Sequence, residues 1–201
     1  MTELIWAPDG SDDAVAAFVA EVVARPGPVT LCLPGGATPA PIFARLTAML
    51  LPWDKVTIVP GDERRVPHAH PASNVGQLRA AFGATGATIE PLAPGPPPRC
   101  DLVWLGMGGD GHVASLFPSS DPDPAAPVAV IAVTPNPLPP EAPFDRLTLT
   151  LAAIAASPDI IVVIRGEAKR ALLAAAAAGA NDLPVARLLK LAPATVFWSP
   201  A

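Results

Sequence analysis

The sequence predicts an α/β fold built on a mostly parallel sheet, and two observations support this. Short runs rich in Val, Ile and Leu recur along the chain, and between them lie stretches whose apolar residues repeat at helical spacing. This alternation is typical of βαβ units, in which helices connect parallel strands. The predicted strands span residues 29–33, 56–59, 102–105, 128–133, 147–149, 160–164 and 195–198.

Helices are predicted between these strands, most of them from a capping signal at the first turn. Ser11 can cap a first helix that presents one apolar face and ends before Pro26. Thr38, followed by a proline in the first turn, predicts a second helix through Leu46. The other two helices are predicted to start at Ser73 or Asn74 and at Glu167, and to end at Phe82 and at about residue 178.

The length of 201 residues fits one domain with a sizeable core. The proline-rich stretches 93–99 and 118–127 are interpreted as surface connections, because proline removes a backbone donor and fixes φ. Neither stretch is convincing as a linker. We therefore predict a single domain over residues 1–201, Rossmann-like and doubly wound, with helices on both faces of the sheet.

The charge balance restricts the partners that this chain can have. Its formal net charge is −5, which argues against a nucleic-acid or anionic-membrane surface. No uninterrupted apolar run approaches about 18 residues, and acidic residues occur early, so neither a membrane span nor a signal peptide is predicted. Cys32 and Cys100 are expected to be buried, reduced thiols. A cytoplasmic monomer or homodimer is expected.

Four polar or glycine-rich segments each follow a predicted strand directly. The carboxyl ends of parallel strands form one edge of an open sheet, where ligands bind in a crevice. We therefore expect these segments to meet in space. They span residues 34–38, 60–64, 106–112 and 165–169.

The first segment predicts a phosphate-binding loop. Gly35, Gly36 and Thr38 precede a predicted helix, so backbone N–H groups and the helix dipole can face an anion. Arg64 and Lys169, which follow two other strands, can each add a charge-assisted hydrogen bond. No Gly-Lys-Ser/Thr sequence closes the loop as a Walker motif would. The alternative interpretation is a tight strand-to-helix turn with glycines for packing.

The segment from Gly106 to His112 places a histidine at the predicted crevice. Its Gly-x-Gly-x-x-Gly pattern is typical of dinucleotide sites, but Pro118 stops the helix that such a site needs, and no acidic residue ends the next strand. His112 beside Asp110 can act as a general base, since an imidazole is mostly neutral near pH 7. The alternative is a structural histidine held by the carboxylate.

His68 and His70 form a His-x-His pair of a kind that ligates zinc in other settings. They lie in a proline-flanked loop without a nearby cysteine, so solvated loop residues are the favoured interpretation. The residues therefore favour neither a zinc site here nor a dinucleotide site at the glycine pattern.

Five motifs in order resemble those of the 6-phosphogluconolactonases, which are relatives of the glucosamine-6-phosphate deaminases and isomerases. The most specific match is Leu-Gly-x-Gly-x-Asp-Gly-His-x-Ala-Ser-Leu-Phe-Pro, ending at Pro118. The other motifs are Gly35-Gly36-Ala37-Thr38-Pro39, Asp62-Glu63-Arg64 with Val66-Pro67 and Ser73-Asn74, Arg146-x-Thr148-x-Thr150, and Gly166-x-x-Lys169.

The resemblance implies hydrolysis of 6-phospho-D-glucono-1,5-lactone in the oxidative pentose phosphate pathway, with no cofactor. In that interpretation His112 activates water, Asp110 orients the imidazole ring, and Arg64 or loop amides stabilise the oxyanion. The phosphate would be held by Gly36, Thr38, Arg146 and Lys169, with Gly35 and Gly108 contributing backbone. Asp62 and Asn74 would face the sugar hydroxyls.

Two alternatives remain open at this point. A glucosamine-6-phosphate deaminase or isomerase would carry a glutamate shortly after the Asp-Gly-His motif, and residues 113–118 contain no carboxylate. Asp62 could still serve such an enzyme as an enolisation base. The other alternative is a non-catalytic sugar-phosphate sensor on the same scaffold, which the intact Asp110, His112, Arg64 and Lys169 make less favoured.

Overall fold

A parallel sheet of seven strands forms the centre of the molecule. In this computed structural model the described residues are 4–138 and 143–200. The sheet has the order β1-β10-β9-β6-β2-β3-β5, and every neighbouring pair in it is parallel. Its strands are β1 (Leu4–Trp6), β2 (Val29–Leu33), β3 (Val56–Pro60), β5 (Thr88–Ile89), β6 (Leu102–Leu105), β9 (Asp159–Arg165) and β10 (Ala194–Ser199).

Three further strands form a separate antiparallel sheet with the order β4-β8-β7. They are β4 (Asp62–Arg64), β7 (Val130–Val133) and β8 (Arg146–Leu149). The predicted strands 128–133 and 147–149 therefore exist with shifted starts, but they pair outside the parallel sheet. Asp62–Arg64, expected to belong to a loop, is a strand because β8 supplies its backbone partners.

In the described part of the chain, six α-helices cover the two faces of the parallel sheet. They are α1 (Asp12–Val23), α2 (Ala40–Thr47), α3 (Asn74–Phe82), α4 (Leu151–Ala155), α5 (Glu167–Ala177) and α6 (Pro184–Leu191). Successive strand residues point to opposite faces, so Leu31 and Leu33 pack with α1–α3 whereas Cys32 packs with α4–α6. The predicted doubly wound arrangement with helices on both faces is thereby confirmed.

Two of the predicted helix caps are observed, and one is not. Ser11 accepts a hydrogen bond from the Ala14 N–H, and Ser73, rather than Asn74, accepts one from the Gly76 N–H. Thr38 does not cap α2, because the helix begins one residue later than predicted, with Pro39 as its cap and no side-chain bond there.

Two short 3₁₀ helices, Trp53–Lys55 and Pro118–Ser120, complete the secondary structure in the described part of the chain. The longest α-helix there has 12 residues, and none of the described helices combines the length and apolar character that crossing a bilayer requires. Cys32 and Cys100 are free and buried, as expected.

We predict that Phe82→Ala destabilises the fold by about 3–5 kcal/mol in the free energy of unfolding, since it opens a cavity in a packed aromatic cluster. Phe82 is fully buried, and its ring centroid lies 5.0 Å from that of Phe43 and 5.4 Å from that of Trp53. Denaturant unfolding measures the change. Leu50→Ala is the control: Leu50 is fully exposed, so a change of less than about 0.5 kcal/mol is expected. Equal losses in both variants would contradict this account of the core.

Candidate functional site

Two adjoining cavities lie at the carboxyl ends of the central strands. The larger, about 270 Å³, is lined by residues that include Asp62, Arg64, Asn74, Gly108, His112 and Arg146. The smaller, about 130 Å³, is lined by residues that include Gly36, Thr38 and Arg165. Both cavities are lined by Pro34, Gly35, Gly106, Met107 and Lys169. The four segments singled out in the sequence therefore meet, as the geometry of a parallel sheet predicts.

His112 and Asp110 form a hydrogen-bonded pair at the rim of the larger cavity. The imidazole Nδ1 lies 2.6 Å from Asp110 Oδ1, and the His112 backbone N–H donates to the same oxygen at 3.2 Å. Partial burial alone would raise the pKa of Asp110, but these hydrogen bonds and the attraction of the ring lower it below its usual value. An ionised carboxylate beside Nδ1 requires the proton on that nitrogen, which leaves Nε2 as the basic one.

Glycine is required at position 108 because the His–Asp pair packs directly on the backbone there. A Cβ on Gly108 would lie 2.2 Å from the His112 ring and 2.6 Å from Asp110 Oδ1. The loop is closed by backbone bonds from the Gly108 N–H to the His112 carbonyl at 3.0 Å and from the Gly111 N–H to the Gly108 carbonyl at 3.1 Å. The backbone of Gly108 thus supports the imidazole ring of His112.

The start of α6 supports the same loop from behind. The Val185 N–H donates to the Gly111 carbonyl at 3.1 Å, and a Cβ on Gly111 would lie 2.7 Å from Leu183 Cδ1. Gly111 also has a φ of +80°, a conformation that residues with a Cβ rarely adopt. The position of His112 therefore depends on a helix near the end of the described chain.

Glu63 is a buried carboxylate that attaches β4 to the start of α3. It is 5% exposed, and it accepts hydrogen bonds from the Ser73 hydroxyl and from the N–H groups of Arg64, Asn74 and Val75, at 2.7–3.0 Å. Side chains alternate along a strand, so Glu63 faces the helix while its two neighbours on β4 face the cavity. An acidic group also suits the positive end of the helix dipole.

Asn74 links the two cavity-facing residues of β4. Its Oδ1 accepts a hydrogen bond from Arg64 NH1 at 2.8 Å, and its Nδ2 donates to Asp62 Oδ1 at 3.1 Å. Asn74 is 2% exposed, and both ends of its amide are occupied within the protein. Its observed contacts are therefore with Arg64 and Asp62, which it holds in place. The Ser115 hydroxyl donates to the other oxygen of Asp62.

Arg64 and Arg146 lie directly opposite each other on the antiparallel strands β4 and β8. Side chains of directly opposed residues project from the same face of a sheet, so the two guanidinium groups are neighbours. Burial, followed by repulsion from Arg64, lowers the pKa of Arg146, although attraction to Asp62 opposes the change. Arg146 NH1 lies 3.8 Å from Asp62 Oδ2. The larger cavity thus has a positive wall in a chain whose net charge is negative.

In the segment 34–38, called the glycine loop below, one backbone N–H group is not free as the sequence predicts. The Gly36 N–H donates to Gln77 Oε1 at 2.7 Å, so this amide already has a partner on α3. Thr38 is exposed and lines the smaller cavity. Arg165 also lines it, but its guanidinium pairs with Asp12 at 2.7 Å. Lys169 lines both cavities and forms no ion pair with a described carboxylate.

His68 and His70 lie outside both cavities. His68 Nδ1 lies 3.2 Å from Arg79 NH1, and His70 Nδ1 accepts a hydrogen bond from the Ala72 N–H at 3.1 Å. Among the residues that the structure describes, no three His, Cys, Asp or Glu side chains are grouped closely enough to hold a metal ion.

Sequence reasoning assigned no role to Glu63, Ser115 or Gln77, although each orients a residue of the site. Glu63 and Ser115 lie inside the motifs quoted above, so their positions offered a signal. The side chains that they bond, Ser73 and Asp62, are ten or more residues away and left no local pattern. Gln77 lies one turn after Asn74 on α3, and only the fold places it against the glycine loop.

Comparisons with known proteins identify the same family that the motifs resemble. The family model described as glucosamine-6-phosphate isomerases/6-phosphogluconolactonase matches residues 10–90 and 83–198. A 6-phosphogluconolactonase of Caulobacter vibrioides is 35% identical over 95% of this chain and 92% of its own length. One of Mesorhizobium japonicum is 37% identical over 92% and 88%. The crystal structure of a 6-phosphogluconolactonase from Shewanella baltica superposes with a TM-score of 0.82 at 26% identity, covering 99% and 98% of the two chains.

We predict that Gly111→Ala destabilises the protein by about 1–3 kcal/mol, because the new methyl group would occupy a positive-φ position and overlap Leu183. Thermal unfolding measures the loss, and activity should fall with it as the loop shifts. Gly109→Ala is the matched control, since its Cβ would meet nothing within 4 Å. A Gly111→Ala protein as stable as the control would refute the proposed support of the His112 loop by α6.

Proposed function

Because this chain belongs to the family of glucosamine-6-phosphate isomerases and 6-phosphogluconolactonases, we propose that His112 is the general base of a lactone hydrolase. Eight curated relatives that are 32–37% identical to this chain are 6-phosphogluconolactonases. The activity is accordingly hydrolysis of 6-phospho-D-glucono-1,5-lactone to 6-phosphogluconate. The observation that carries this assignment is the 2.6 Å contact between Nδ1 and Asp110, which leaves Nε2 basic.

The reaction needs one proton acceptor and no external oxidant or reductant. Nε2 of His112 takes a proton from water as the water oxygen bonds to the lactone carbonyl carbon. The tetrahedral intermediate then collapses, the bond from this carbon to the ring oxygen breaks, and the proton passes from Nε2 to the departing oxygen. Asp110 stabilises the transient imidazolium and keeps the ring in one orientation.

Positive charge in the larger cavity stabilises the oxyanion that forms in this step. Arg64 is held by Asn74 and by the Ala72 carbonyl at 2.9 Å, so its guanidinium is oriented before the substrate arrives. Such preorganised donors contribute several kcal/mol where the site excludes water. Asp62, fixed by Asn74 and Ser115, is the acceptor for a sugar hydroxyl.

The phosphate group is assigned to the junction of the two cavities. Gly35 and Lys169 line both of them, Thr38 lines the smaller and Arg146 the larger. A phosphate there lies within reach of two cations and of the glycine loop, while the lactone carbonyl reaches His112. Lys169, without a carboxylate partner among the described residues, is the most available of these cations.

The working form is proposed to be one domain over residues 1–201, acting as a monomer or homodimer in the cytoplasm without a cofactor. The candidate site residues named above line the two cavities of this one chain or lie at their rim. Two free, buried cysteines suit a reducing compartment.

His112→Ala is expected to lower kcat by about 10²–10⁴-fold, because it removes the proton acceptor. The measurement is a coupled assay on freshly prepared 6-phosphogluconolactone, corrected for spontaneous hydrolysis. His70→Ala is the control, since His70 lies outside the cavities, and its kcat should equal that of the wild type. Wild-type turnover no faster than the spontaneous reaction would exclude the lactonase, and ammonia release from glucosamine 6-phosphate would instead identify a deaminase.

Lys169→Ala is expected to raise KM for the phosphorylated lactone by about 10–100-fold, as expected for the loss of a charge-assisted hydrogen bond. KM for the unphosphorylated D-glucono-1,5-lactone should change little. Lys190→Ala serves as the charge-matched control, because Lys190 pairs with Asp182 on the surface at 2.8 Å. Equal changes for both lactones would remove the phosphate role of Lys169.

A further inference from the structure

The side chain of Gln77 is hydrogen-bonded at both ends. Its Oε1 accepts from the Gly36 N–H at 2.7 Å, and its Nε2 donates to the Pro71 carbonyl at 3.0 Å. Because one partner is a donor and the other an acceptor, the orientation of the amide is determined. The side chain therefore connects the glycine loop to α3 and to the segment that precedes it.

Contact between the glycine loop and α3 extends over two successive glycines. A Cβ on Gly35 would lie 2.1 Å from Asn74 Oδ1 and 3.0 Å from Gln77 Oε1. Asn74 and Gln77 are three residues apart and so lie on the same face of the helix. One helix face thus holds the glycine loop through Gln77 and the pair Asp62 and Arg64 through Asn74.

Gln77 acts from outside the substrate cavities. It lines neither of them and instead borders a separate groove between α2 and α3, on the far side of the loop. Its influence on a bound ligand must therefore pass through the backbone of Gly36, which lines the smaller cavity. This makes it a positioning residue rather than a catalytic one.

We propose, on the basis of the function assigned above, that Gln77 determines the preference of the site for a phosphorylated substrate by holding the glycine loop with an uncharged acceptor. A carboxylate would accept the same N–H and form a stronger hydrogen bond. It would also place a negative charge one backbone amide away from the phosphate. The neutral amide fixes the loop and leaves the attraction of Lys169 for an anion undiminished.

The discriminating variant is Gln77→Glu, which keeps the acceptor and the shape but adds the charge. Its KM for 6-phosphogluconolactone should rise about 10-fold, whereas kcat and the KM for D-glucono-1,5-lactone should change less than about 2-fold. Gln77→Met removes the acceptor without adding charge, and it should raise the same KM by a smaller factor. Ala84→Glu adds an equal charge at an exposed position after the end of α3, outside the groove that Gln77 borders, and should leave both KM values unchanged.

A binding measurement separates this proposal from the lactonase assignment. Calorimetric titration with the two ligands gives, without any turnover, the dissociation constant of gluconate divided by that of 6-phosphogluconate. Gln77→Glu should reduce this ratio about 10-fold relative to the wild type. An unchanged ratio, or parallel weakening of both ligands, would overturn the role of Gln77, even in a protein that hydrolyses the lactone normally. A reduced ratio in a protein without lactonase activity would support Gln77 and reject the proposed reaction.

Discussion

The buried carboxylate of Glu63 is the contact on which the site depends most. Four hydrogen bonds end on it, three of them from residues 73–75 at the start of α3. Each hydrogen bond to a charged group contributes about 1.5–3 kcal/mol, and leaving such a group unpaired costs more. Because Glu63 fixes this helix start against β4, it also fixes Asn74, which holds Arg64 and Asp62, and Gln77, which holds the glycine loop.

Much of this arrangement could be predicted from local signals. The buried strands are runs of Val, Ile and Leu, Ser11 and Ser73 are recognisable caps, and the carboxyl ends of parallel strands must share one edge. The convergence of four distant segments followed from that rule alone. Helix α6 could also have been found, since Pro184 at its start precedes apolar residues at helical spacing.

Other features depend on partners that are distant in sequence. The strand Asp62–Arg64 is short and fully charged, with no strand propensity of its own, and it exists because Arg146–Leu149 pairs with it. The Gly36 amide was expected to face an anion, and only the packing of α3 against the loop directs it to Gln77. Asn74 is likewise predicted from the sequence to face the sugar hydroxyls, because its partners on β4 are ten and twelve residues away. In the structure both ends of its amide bond to those partners, Arg64 and Asp62.

The opposed arginines of β4 and β8 affect the folded state as a whole. Backbone pairing holds the two residues opposite each other, and attraction to Asp62 opposes the repulsion between their guanidinium groups in the protein without ligand. An anion between them removes that repulsion at the moment of binding. Because the ligand binds the folded state and not the unfolded state, its binding also raises the free energy of unfolding. Phosphorylated sugars in the cell would thus stabilise the folded enzyme whenever their concentration exceeds the dissociation constant of the site.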